Sequence, residues 1–307
     1  MKARKMRART ELFFAAVLFG LMAVLARMGS QGSGGFSPPQ LTFIRFVVGT
    51  GMTVALFRLR PGTFRPVNHR LLLTRGLAGG LAVLLYFVAL SRIPAGEATL
   101  LNNTFPVIAV LLSFFTLGER PTVHILVALV VVTCGMFMVL GEGQKTVGLG
   151  WGQVAGLASA FLGAAAVTSI RALRATDNAP TIFFAFCIGG AVVSAPFALQ
   201  SWPADSGLWA LAAAVGVLSF GAQILMTDAY GALTVAEAAL WQQLTPVASY
   251  VWALVVLGER VGPLEAAGVL LGIAGVTYGT VLGHKAPGAA KASARTATQP
   301  VEPVEPS

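Results

Sequence analysis

Apolar runs of about 20 residues, the length that crosses a hydrocarbon core of about 30 Å at 1.5 Å per residue, recur along this 307-residue chain. They fall at 11–28, 38–57, 71–90, 95–117, 122–140, 149–170, 179–199, 207–228, 234–257 and 263–282, with short polar breaks between them. Inside lipid a backbone has to satisfy its own hydrogen bonds, so runs of this length are helices. Charged residues make up only 11% of the chain, against about one quarter in a soluble domain, and such a surface cannot be covered in water. The expected fold class is therefore an all-α polytopic membrane protein with ten transmembrane helices and the lipid bilayer as its solvent.

A formal charge of +9 could serve nucleic acid, but its distribution points to membrane topology instead. With the N-terminus placed inside, sixteen Lys and Arg fall on the cytoplasmic side, among them Arg58, Arg60, Arg65, Arg70, Arg75, Arg120, Arg171 and Arg174. Four fall outside (Arg27, Arg92, Lys145 and Arg260), and Arg45 lies within a span. This bias orients helical membrane proteins and predicts cytoplasmic termini, in a bacterial inner membrane, with no role for nucleic acid. The first run follows a basic segment and so resembles a secretory signal, but further spans follow it and it reads as a retained helix. The Ala/Pro/Glu-rich segment 283–307 has little to bury and reads as a disordered cytoplasmic tail. Two cysteines, Cys134 and Cys187, and three scattered histidines supply neither a disulfide framework nor a metal cluster. Both thiols are expected to be small buried hydrophobes, and no cofactor is expected.

Sliding the chain by 140 residues aligns Glu97, Ala98, Leu100, Pro106 and Val107 with Glu237, Ala238, Leu240, Pro246 and Val247. The same offset pairs Leu117-Gly118-Glu119-Arg120 with Leu257-Gly258-Glu259-Arg260. Apolar composition alone would not keep Glu, Pro and Gly-Glu-Arg in register, so the repeat is a duplication. It predicts a basic tail at 1–10, a five-helix unit at 11–140, a second at 141–282 and the tail at 283–307. A unit of five spans is odd, so its copy enters the membrane from the opposite side, giving inverted repeats with a site between them.

Arg45, the stretch Tyr86-Phe87-Val88-Ala89-Leu90, Pro94-Ala95-Gly96-Glu97-Ala98, Thr104-Phe105-Pro106-Val107 and the two Leu-Gly-Glu-Arg endings resemble the EamA family of the drug/metabolite transporter superfamily over residues 11–282. The resemblance implies a ten-helix inner-membrane carrier, often an exporter of amino acids or other small metabolites, with a cavity between its halves. The second half has no arginine matching Arg45.

Pro106 and Pro246 each sit near the middle of a span and, lacking an N–H, release the carbonyls of Asn102 and Gln242. Asn102-Asn103 and Gln242-Gln243 are thus offset-matched amide pairs beside unpaired backbone, about 6 Å on either side of the midplane. They are candidates for substrate binding, or for hydrogen bonds that hold the bundle together. Trp241, Tyr86, Gln223 and Thr227 are candidate cavity neighbours, and the two rings serve equally as interface anchors. Arg45, inside a span, needs a partner, for which Glu97 is the first candidate. Glu97, Glu237 and Asp228 could gate access or couple it to protons; for the glutamates the preferred reading is helix N-terminal stabilisation. The two Gly-Glu-Arg motifs read as helix caps with the charges facing water, followed by Pro121 and Pro263 at helix restarts. Gly152-xxx-Gly156 and Gly268-xxx-Gly272 permit close helix approach, within a monomer or in a homodimer.

The expected function is a secondary, non-ATP transporter of small amino-acid-like or drug-like metabolites, exporter or exchanger, with proton coupling open. A channel or a non-transport membrane enzyme or scaffold is the alternative. An enzyme is disfavoured because no span carries a nucleophile with its base, or a metal cluster.

Overall fold

The computed structural model describes residues 2–30, 34–90, 92–93, 95–140, 150–199, 201–258 and 262–282. These form α1 (Lys2–Ser30), α2 (Pro38–Leu59), α3 (His69–Leu90), α4 (Ala95–Asn102), α5 (Phe105–Leu117), α6 (Val123–Leu140), α7 (Trp151–Leu173), α8 (Ala179–Ala198), α9 (Ser206–Ala229), α10 (Val235–Gln242), α11 (Leu244–Leu257) and α12 (Pro263–Leu282). Among the described residues eight helical segments are long and apolar enough to cross a membrane, one of them the broken run Val235–Leu257. The shorter apolar helices Phe105–Leu117, completed by α4, and Val123–Met138 bring the crossings to ten. Phe115, Val130, Trp151 and Leu199 point outward at 62–80% exposure, an apolar surface that needs lipid rather than water.

Helix bounds keep the 140-residue offset. The bounds of α4, shifted by 140, are those of α10; α6 and α12 start 140 apart, at Val123 and Pro263. α5 and α11 end 140 apart, on Gly118 and Gly258, which take left-handed φ of 64° and 65°, a conformation that costs glycine nothing. Packing follows the same rule. α1 runs along α9 as α3 runs along α7, α11 meets α1 as α5 meets α7, and α2 with α8 and α6 with α12 close the set.

Where the chain enters its helices, side chains cover the first free N–H groups. Asn178 Oδ1 accepts from Thr181 N–H at 3.0 Å, and Thr234 Oγ1 from Glu237 N–H at 3.2 Å. Glu237 reaches back to Thr234 N–H at 3.4 Å, which completes a capping box. The helix-stabilising reading of Glu237 therefore holds. Thr234→Ala is expected to cost about 1 kcal/mol, read as a lower melting temperature of the purified protein.

Four features differ from the sequence reading. Residues 2–10 are not a separate tail but the first turns of α1, continued by good helix formers and the Arg7–Glu11 pair at 2.7 Å. Cys187 is buried, whereas Cys134 is exposed on α6, because that turn of the helix faces outward beside Val130 and Phe137. Pro121 stands two residues before α6, whereas Pro263 opens α12. Glu119 does not face water but binds two other helices. The paired glycines pack internally: a Cβ on Gly135 of α6 would come within 2.7 Å of the Gly268 carbonyl, and one on Gly156 within 3.1 Å of Leu101.

Candidate functional site

Both predicted proline helix breaks are present. α4 stops at Asn102 and α5 begins at Phe105, with Asn103 and Thr104 between them; α10 stops at Gln242 and α11 begins at Leu244. Pro106 and Pro246 lie in the first turns of α5 and α11, where a missing N–H costs least. Thr104 Oγ1 donates to Leu101 O at 2.7 Å and Asn103 Nδ2 to Thr99 O at 3.0 Å. These bonds absorb part of the backbone that the break exposes.

The amide side chains take different partners. Asn102 Oδ1 lies 2.8 Å from Ser159 Oγ of α7, which is also 2.8 Å from Ala82 O of α3. One hydroxyl hydrogen serves one acceptor at a time, so the arrangement is fully satisfied only with the Asn102 amide turned to donate to Ser159. Gln242 Nε2 donates to Tyr230 Oη at 2.7 Å. Gln243 is 3% exposed with Nε2 unpartnered, and Gln223 is 8% exposed with Oε1 unpartnered. Unsatisfied buried amides are costly, and a bound polar ligand would relieve them.

Tyr86 does not stand free: its hydroxyl lies 2.8 Å from Thr99 Oγ1, joining α3 to α4. Thr227 is buried at 1% exposure on α9. Trp241 lines an open cleft of about 570 Å³ between α1, α11 and α12 with Phe13, Trp252 and Ile273. That lining is almost wholly apolar and suits lipid tails better than a polar substrate.

Arg45 and Arg75 belong together. The charge distribution counts Arg75 on the cytoplasmic side, and it is 4% exposed on α3 with its guanidinium 3.8 Å over the Phe186 ring of α8. The reason is tertiary: Gly79 leaves room for the side chain, since a Cβ there would meet Arg75 Nη1 at 2.7 Å. Arg45 lies 4.9 Å over the ring of Phe46, which meets Phe186 edge-on at 5.0 Å. The two guanidiniums are within electrostatic reach of each other and of Cys187, and Arg75 also of Tyr230. Gln242 bonds Tyr230, which is within electrostatic reach of Arg75, so the second helix break is connected to the arginines through these groups.

Glu97 as partner of Arg45 finds no support. Its side chain lies outside the described residues, as do Glu259, Arg260 and 283–307. α4 packs on α7, α3 and α6, whereas α2 packs on α8 and α9.

Glu237 and Asp228 meet instead at the end of the bundle where the chain starts. Lys5 Nζ and Arg9 Nη2 approach Glu237 at 3.6 and 3.7 Å, and Arg174 Nη2 and Arg7 Nη2 approach Asp228 at 2.8 and 3.9 Å. Glu119 accepts from Arg171 Nε at 3.0 Å and from Val235 N–H at 2.7 Å, so it fastens the end of α5 to α7 and α10. This layer closes that end of the bundle and was not foreseen for Glu119, Arg171 or Arg174. A cluster of opposite charges shared by five helix ends was its only signal.

A profile of the EamA-like transporter family matches residues 11–141 and again 150–279. The chain belongs to the EamA-like transporter family. Among curated relatives of this EamA-like chain, the pseudopaline exporter CntI of Pseudomonas aeruginosa is 28% identical over 259 residues, 84% of this chain and 90% of that one. An uncharacterized transporter of Helicobacter pylori is 24% identical over 181 residues, 58% of this chain and 59% of that one. A crystal structure 21% identical in sequence superimposes with a TM-score of 0.77, covering 90% of this chain and 98% of the other, and supports the fold. The EamA-like chain is thus a multi-pass membrane protein of a transporter family that includes a named exporter.

Proposed function

We propose that this chain is a secondary transporter of a small organic metabolite, exporter or exchanger, working by alternating access in a bacterial inner membrane. Its units are two inverted five-helix repeats, 11–140 and 141–282, with both termini cytoplasmic. The observation that carries the reading is the pair of offset-matched helix breaks, at Asn103-Thr104 and at Gln243. Continuous helices would suffice for a scaffold, whereas broken ones near the midplane expose amides and backbone to a central ligand. Packing that survives exchange of the two halves supports the repeat, and the exporter among the relatives supports the direction. Substrate binds at Asn102, Asn103, Gln242 and Gln243, with Gln223, whose Oε1 has no partner, and Thr227 on α9.

In this reading the ionic layer of Glu119, Asp228 and Glu237 is the cytoplasmic gate, closed in this conformation. Reconstituted protein is expected to show saturable, trans-stimulated exchange of the compounds released by overproducing cells. Flux without saturation would mark a channel and sink the carrier reading. For the gate, Glu119→Gln weakens the ties to Arg171 and Val235, a loss of about 1–2 kcal/mol, or about tenfold in the closed-to-open ratio. A cysteine at Thr227, in protein lacking Cys134 and Cys187, should then react about tenfold faster with an impermeant maleimide from the cytoplasmic side. An unchanged rate would remove Glu119 from the gate.

A further inference from the structure

Arg75 is buried and Arg45 half-buried, and among the described residues neither charge is answered. Each lies well inside a membrane-crossing helix, each has an Nε without a hydrogen-bond partner, and no described acidic side chain forms an ion pair with either. The described carboxylates are committed elsewhere, Glu11 to Arg7 and Asp205 to the Gly207 N–H among them. Glu119, Asp228 and Glu237 pair with cations at the gate. Asp177 holds the backbone N–H groups of Val67 and Asn68, and Glu265 accepts from Tyr250 and Gly262.

Two like charges taken out of water near each other are costly, and arginine does not shed its proton. Stacking on Phe46 and Phe186 offsets a part of that cost but supplies no counter-charge. Among the described residues none supplies the counter-charge, and a group arriving from outside the chain would complete the site. A guanidinium presents a planar fork of donors, which matches the oxygens of a carboxylate or phosphate.

We propose that Arg45 and Arg75 form the anion-binding end of the substrate site, so that the transported molecule carries an oxyanion, carboxylate or phosphate. This deepens the transporter reading and rests on it. The Phe46 and Phe186 rings hold the two guanidiniums in place, and Gln242 with Tyr230 offers polar groups on the side toward the second helix break. The substrate then has its acidic group held on α2 and α3 and its polar remainder reaching the amides.

The test measures melting of the purified, detergent-solubilised protein at constant ionic strength with three probes: succinate, its neutral counterpart succinamide, and inorganic phosphate. At about ten times the Kd an oxyanion is expected to raise Tm by about 3 °C, while succinamide does not. A rise with succinate alone assigns a carboxylate, a rise with phosphate alone assigns a phosphate, and a rise with both assigns a general oxyanion site. Arg45→Gln and Arg75→Gln should each abolish the rise, and Arg58→Gln, at an exposed position, should retain it. Because each substitution removes an uncompensated buried charge, the ligand-free variants should melt at or above wild type. The proposal is overturned if neither oxyanion exceeds succinamide, if the rise survives in both variants, or if both ligand-free variants melt well below wild type, which would make the arginines structural. Loss of exchange in liposomes with the oxyanion response intact would sink the transporter reading alone. Exchange of a neutral compound without any oxyanion response would sink only this inference.

Discussion

Gly189→Val is expected to abolish accumulation of folded protein. α3 and α8 meet backbone to backbone: a Cβ on Gly189 would lie 2.6 Å from Gly76 Cα and closer still to its carbonyl, and one on Gly76 would lie 2.7 Å from Ala185 O. No rotamer relieves a clash against backbone, and lipid offers no hydrophobic gain to hold the helices together once they are pushed apart. The cost is about 3 kcal/mol or more, and the Arg75–Phe186 stack beside the crossing would be displaced with it. Gly51, with nothing within 4 Å of its Cβ position, is the control: Gly51→Ala should be neutral or stabilising by up to about 1 kcal/mol. Size-exclusion profiles and melting temperatures of the two variants decide the matter. A monodisperse Gly189→Val protein melting like wild type would contradict the close α3–α8 crossing.

The second large effect concerns the amides at the helix breaks. Gln242→Ala is expected to slow exchange about 10–100-fold, the loss of one or two directed polar contacts of about 1–3 kcal/mol. Asn102→Ala should cost less, because Ser159 keeps Ala82 O as acceptor, whereas Tyr230 is 0% exposed and its hydroxyl accepts from Gln242. Tyr230→Phe separates two explanations, since it removes the hydroxyl and frees Gln242 Nε2 for a ligand. Exchange within about threefold of wild type in Tyr230→Phe, alongside a large loss in Gln242→Ala, supports direct contact with substrate. Equal losses would assign the amide to holding Tyr230. Unchanged exchange in both amide variants, at normal abundance, would remove the helix breaks from the site.

Features carried by covalent chemistry were legible along the chain. Pro106 and Pro246 lack an N–H wherever they stand, and both helices break one turn before them or less. Gly118 and Gly258 take the left-handed cap because no other residue does so without strain. Capping by Glu237 could be read because its partner, Thr234, is three residues away.

Partnership across the bundle was not legible. In sequence Arg45 lies about two turns and Arg75 about one turn into an apolar run, which reads as a charge inside a span for the first and on the cytoplasmic side for the second. The burial of Arg75 depends on where α8 sets Phe186 and on the space left by Gly79. Glu119 reads as a charge after a helix cap until α7 and α10 bring Arg171 and Val235 to it.

By itself the sequence determined ten membrane-crossing segments, the duplication and the places where two helices must break, because segment length, register and a missing N–H are local properties of the chain. The tertiary structure alone decided which charges are neutralised and which are left waiting. A charge in low dielectric is defined by its neighbours, and those come from helices 52, 54 or 116 residues away along the chain.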